Sequence, residues 1–216
     1  MNLPFSVDEF LGVFEKYNLS VWPAQIFLII LAFGIISMVA LKNKGNFVLI
    51  LLGVLWTWTG VAYHLVFFSE INSAAYIFGG MFILQGIAFI LYGLFSKQKP
   101  ETSLTKDAVR LTGMFLILYA LGIYPFLAGL LGHSYPKMPT FGLPCPTTIF
   151  TFGILLFFSE KIPWYLIVIP FLWSLVGFSA ALQLSIYEDF GLVFAGLIGG
   201  AILLIKHKNS RLVTSG

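Results

Sequence analysis

The stretch Thr140-Phe-Gly-Leu-Pro-Cys-Pro-Thr-Thr-Ile-Phe-Thr-Phe-Gly153 sets the chain's only cysteine between two prolines, at the start of an apolar run. From Cys145 to Phe158 that run would measure about 21 Å as a helix at 1.5 Å per residue. A bilayer's hydrocarbon core is about 30 Å thick. If the helix ends at the turn Ser159-Glu-Lys161, its outer end stops about 9 Å below the surface. The prolines explain the stop. A proline inside a helix removes a donor and clashes with the preceding turn, but it is welcome at the first helical position. Pro146 is therefore expected to open this helix, with Cys145 near its N-cap and Thr147 in its first turn. The loop 132–144 must then dip into the membrane, where irregular backbone survives only when buried in protein or lining a wet cavity. Free N–H groups at a sunken helix start favour anions and lower a thiol's pKa. The plainer alternative is a rigid turn with the thiol packed as a small apolar group.

The rest of the chain makes the membrane reading firm. Of 216 residues, 59% are apolar and 10% charged, against about 25% charged in soluble domains. Apolar runs of about 20 residues recur along the length, each sufficient for a membrane helix. None alternates strictly as a barrel strand would. The expected fold is all-α: a polytopic membrane protein with a seven-transmembrane-helix bundle. Its spans fall at about 21–41, 46–68, 72–95, 109–131, 145–158, 163–183 and 187–205, and the bilayer is the first partner. The break at 96–108 is a loop within one domain, and residues 206–216 form a basic tail.

Residues 1–20 precede the spans. Met1-Asn-Leu-Pro-Phe-Ser-Val-Asp-Glu9 lacks the basic region of a signal peptide, so the first membrane helix is expected to act as the targeting element. Ser6 and Glu9 form a capping box, and Phe5 can staple onto Phe10. Val7, Phe10, Leu11, Phe14 and Tyr17 share a face, which suggests a short amphipathic helix in the interface or a turn packed on the bundle's rim. Orientation follows from charge. Lys42, Lys44, Lys97, Lys99, Lys106, Arg110, Lys161, Lys206, Lys208 and Arg211 gather on one side, leaving Lys16 and Lys137 opposite. By the positive-inside rule the N-terminus is out and the C-terminus in. The net charge of +3 is thereby topological and implies no nucleic-acid partner.

The titratable residues concentrate toward the outer end. The candidate ligand-binding set is Tyr63, His64, Glu70, His133, Cys145, Thr147 and Glu188. His64 lies about a turn inside the outer end of its span, and a membrane-embedded ionisable group suggests function. It equally suits an interior histidine bonded to a threonine or carbonyl. Glu70 can hydrogen-bond His64 or act as a solvated turn residue. Glu188 and Asp189 complement a helix dipole without any ligand. A metal ion is conceivable through His64, His133 and Cys145 with a carboxylate, although no two of these lie close in sequence. Gln85 suits an interhelical hydrogen bond, and Gly196-Leu-Ile-Gly-Gly200 contains a GxxxG that permits a homo-oligomer as readily as internal packing.

Absences narrow the function further. No charged residue falls centrally in any span, which argues against a voltage sensor or a carboxylate-driven proton pump. Retinal is excluded as a cofactor, because Lys206 comes only at the inner end of the last helix. A three-histidine zinc site fails because His207 lies in the tail, opposite His64 and His133.

Pro4-Phe-Ser-Val-Asp-Glu-Phe10, Tyr17-Asn-Leu-Ser-Val-Trp-Pro-Ala-Gln25, Tyr63-His64 and Pro144-Cys-Pro-Thr-Thr-Ile-Phe150 together resemble a family of prokaryotic multi-pass membrane proteins, domain of unknown function 6064. The resemblance covers essentially the whole chain. It implies a bacterial or archaeal inner-membrane location and no activity. The expected function is an outward-facing polar vestibule that binds, and can translocate, a small solute or ion. The alternatives are a membrane enzyme acting on a lipid or isoprenoid at the outer leaflet, and a structural subunit.

Overall fold

The computed structural model describes residues 4–41, 44–96, 100–104, 107–159 and 162–213. Among these residues the chain is helical, with isolated bridges and no strand. Helix α1, Val7–Ser20, starts as its sequence dictates: Ser6 caps Glu9, Glu9 accepts from the Ser6 N–H at 2.8 Å, and Phe5 stacks on Phe10 at 5.7 Å. The hydrogen bonds from Ser6, backbone first, hold the Glu9 carboxyl below its ordinary range. Val13, Phe14, Tyr17 and Asn18 form the buried face of α1. The chain then turns by 88° into α2, Ala24–Ala40. Helix α1 thus lies across one end of the bundle. Tyr17 accepts a hydrogen bond from the Trp58 indole at 2.8 Å, so the packed-rim reading describes its contacts.

Among the described residues five helices are long and apolar enough to cross a membrane: α3 Gly45–Glu70, α4 Ala75–Phe95, α5 Ala108–Leu130, α7 Tyr165–Leu184 and α8 Tyr187–Lys206; the bent pair α1 and α2 makes a sixth if counted as one span. The expected seventh, 145–158, does not qualify. It is α6, Pro144–Leu155, only 12 residues long and finished by a turn at Leu156. That gives about 18 Å. Every residue of α6 is buried except Cys145, which is partly so. A helix apolar on all sides belongs inside a bundle, and α6 is the core around which the longer helices stand.

Helices α3 and α4 meet through glycines seven residues apart, Gly53 and Gly60 on one, Gly79, Gly86 and Gly93 on the other. A methyl group on Gly86 would sit 2.7 Å from the Gly53 carbonyl oxygen, and one on Gly60 would sit 2.9 Å from that of Gly79. This is the close backbone approach that small residues permit in membranes. Gln85 donates to the Leu166 carbonyl at 3.0 Å, tying α4 to α7 as expected. The glycines of α8 are used internally: Gly196 lies against Ser174, and a methyl group on Gly199 would sit 3.3 Å from Phe152. The face that suggested a homo-oligomer is therefore occupied within the chain. Lys42, Lys97, Lys99, Lys106 and Lys161, which entered the orientation, lie outside the described residues.

Three helices carry a π-helical segment: Thr59–Phe67 in α3, Tyr119–Ile123 in α5 and Ala195–Gly199 in α8. Such wide turns occur often at functional sites. The first contains Tyr63 and His64, and the second leads directly into Tyr124.

Candidate functional site: an aromatic chamber beneath helix α1

Helix α6 begins two residues earlier than expected, with Leu143 as N-cap and Pro144 at the first helical position. Both prolines fit because the first turn's N–H groups have no intrahelical acceptor to lose. The loop before it is bonded where it becomes buried. Asn18 donates to the Pro136 and Met138 carbonyls at 2.6 and 2.8 Å. Gln25 donates to Asn18 at 2.6 Å, Thr140 donates to Asn18 at 2.7 Å, and Thr59 donates to the Gly142 carbonyl at 2.9 Å. These bonds satisfy the polar groups of the irregular backbone where it becomes buried ahead of α6. Asn18 and Gln25 both lie in the Tyr17–Gln25 phrase, where sequence alone does not mark them as functional.

Between α1 and the start of α6 lies a cavity of about 140 Å³. Phe10 and Phe14 of α1 form its roof; Tyr63, Phe68, Phe78, Trp173 and Ala180 are among the residues along its sides; Pro144, Cys145, Tyr124 and Asp189 also line it. Tyr63 and Phe68 stack at 5.6 Å with nearly parallel planes, and Trp173 stands edge-on to Phe78 at 5.4 Å. The Tyr124 hydroxyl donates to the Asp189 carboxylate. The Cys145 thiol lies against that same carboxylate and the Trp173 side chain. Beside this group, His133 Nδ1 meets Glu188 Oε1 at 2.8 Å, and Tyr119 donates to the Glu188 carbonyl at 2.8 Å. Glu188 has no exposed surface, and its other carboxylate oxygen has no partner.

The seven candidates therefore separate. Tyr63 and Cys145 line the chamber. His133 and Glu188 form the neighbouring pair. His64 stands one ring behind the wall, 4.7 Å from Phe82 and 5.1 Å from Trp173, with neither nitrogen hydrogen-bonded. It bonds neither Glu70 nor a threonine. Glu70 turns outward and pairs with Lys16 at 2.6 Å, both well exposed. Thr147 is buried in α6 with its hydroxyl unpartnered. Among the described residues no three His, Cys, Asp or Glu side chains are grouped to hold a metal ion, so His64, His133 and Cys145 are not assembled into one ligand set. The start of α6 also offers an anion less than expected. Pro144 and Pro146 have no N–H, and the Thr147 N–H is used on the Leu143 carbonyl at 3.1 Å. Asp189 already occupies the position beside Cys145.

Asp189, Tyr124 and Trp173 were not among the candidates. Asp189 could be traced only through its neighbour Glu188, because the facing of two adjacent acids depends on how α8 starts. Tyr124 and Trp173 look like ordinary interfacial and core aromatics in sequence.

No curated protein and no solved structure matches the chain. A family model matches residues 7–214, taking in α1, the roof it contributes and every element of the chamber, and the chain belongs to that family, a family of unknown function (DUF6064).

Proposed function

We propose that this is a binding protein of the cytoplasmic membrane, which admits a small ligand to the chamber beneath α1. The observation that carries the reading is the cavity itself: aromatic walls, a roof made by a separate short helix, and a carboxylate, a thiol and a phenol within. Cavities of mainly apolar lining with a few convergent polar groups are the usual form of small-molecule sites. Binding is favoured over passage because α6 stands behind the floor, and its residues from Pro146 to Leu155 are buried on every side.

Cys145 is the only thiol, so a small maleimide reports access to the chamber directly. Phe10→Ala removes part of the roof's apolar contact, about 1.5 kcal/mol, and should raise the labelling rate about tenfold. Ala180→Phe, which fills the cavity from its wall, should suppress labelling. Equal rates in wild type and both variants would show that no openable chamber exists.

In the same proposal, α2 to α8 carry the chain across seven times, N-terminus out, with α6 completing its crossing through protein-buried loop. The support is the split of basic residues and the position of α1 at one end. A fluorescent reporter fused after Gly216 should mature in the cytoplasm; fluorescence only from a fusion at the N-terminus would reverse the assignment.

A further inference from the structure

We propose that the ligand is a small organic cation, an alkylammonium group on a short apolar body; this rests on the chamber reading above. The first support is charge. Among the described residues no lysine or arginine lines the cavity, whereas the Asp189 side chain does. The titratable groups facing Asp189 are Tyr124 and Tyr119 from α5, Tyr63 from α3, Cys145 from α6, the adjacent Glu188 and, more distantly, His133. His133 is engaged with Glu188. The one imidazole nearby is thus taken by Glu188, and an entering anion would find no cationic side chain among the described lining residues.

The walls exclude a second class. A hydrated divalent metal needs several oxygen, nitrogen or sulfur donors to replace its water, and no group of three His, Cys, Asp or Glu side chains is placed to hold one among the described residues. A weakly hydrated cation with an alkyl surface has the opposite requirement. It loses little by leaving water and gains from the faces of aromatic rings, by about 2 kcal/mol when desolvated. Tyr63, Phe68, Phe78, Tyr124 and Trp173 line the same cavity as Asp189, and Tyr124 donates to its carboxylate. Phe10 and Phe14 would close over the ligand from α1. The volume of about 140 Å³ suits a head group of a few heavy atoms.

An ammonium of this kind reaches the site either as a free solute or as a lipid head. Choline is the probe for the shared chemistry, with dimethylbutanol, its neutral carbon isostere, as the control. The measurement is calorimetric titration of the full-length protein in phosphatidylglycerol nanodiscs, which carry no ammonium. Choline is expected to bind at least tenfold more tightly than the isostere. It should also protect Cys145 from maleimide. Asp189→Asn should erase the preference while leaving isostere binding within about threefold. If that variant fails to fold, protection of the wild-type thiol still decides the matter. Repeating the titration in phosphatidylcholine nanodiscs separates the sources: weakened choline binding identifies a lipid head as competitor, and unchanged binding identifies a free solute.

Equal affinity for choline and its isostere would overturn the cation assignment and keep the chamber. Failure of choline to bind or protect, with Cys145 labelling still governed by Phe10, would do the same. Failure of choline together with labelling insensitive to the roof would remove both.

Discussion

Replacing His133 with alanine should cost on the order of 3 kcal/mol of stability, the usual consequence of stripping the partner from a buried ionisable pair. Glu188 has no exposed surface and His133 is its one side-chain partner, at 2.8 Å. Its second oxygen is already unbonded. The substitution would leave a buried carboxyl with no side-chain hydrogen bond, a costlier state than an apolar side chain of the same shape. For a chain of this size the unfolding midpoint in mild detergent should fall by about 10 °C. The double variant His133→Ala/Glu188→Gln should recover part of the loss, since a neutral amide is cheaper to bury than a charge. A midpoint within a degree of wild type in the single variant would mean that the pair does not hold the loop after α5 to the start of α8.

Gly86→Leu should be the most damaging change away from the chamber. A side chain at Gly86 meets the Gly53 carbonyl oxygen at 2.7 Å and the Thr57 nitrogen at 2.9 Å. Both are backbone atoms of α3 and cannot rotate aside, so the two helices must separate. Overpacking of this kind costs about 1–3 kcal/mol and occasionally more. The damage should extend to the chamber, because α3 carries Tyr63 and α4 carries Phe78. Gly80 lies on the same helix with nothing within 4 Å, and Gly80→Leu should elute and melt like wild type. Size-exclusion profiles of the pair provide the test. Equal behaviour would show that the glycine seam is not the principal contact between α3 and α4.

Much of this architecture follows from residues read in order. The capping box at Ser6 and Glu9 and the staple between Phe5 and Phe10 are local interactions, decided within one helical turn. The shortness of α6 is likewise local, since Pro144 and Pro146 prevent a regular turn from preceding them. Apolar run length located the five long helices for the same reason. Its limit shows at 145–158, where hydropathy alone cannot distinguish a span from a segment enclosed by other helices, because protein interior and lipid demand the same apolar surface.

What the linear order could not decide is direction. Glu188 and Asp189 are adjacent, yet one meets His133 from the loop after α5 and the other meets Tyr124 and Cys145. The π-helical turns in α3 and α5 alter the angular position of every later residue, so His64 faces rings and Tyr124 faces a carboxylate in a way that regular helical spacing does not give. Glycine spacing showed that close packing was available in α8 but not which surface would take it, and α7 took it from within. Short-range sterics and solubility are properties of a segment and can be read from it. The company a buried polar group keeps depends on crossings between distant segments, and only the folded bundle supplies those.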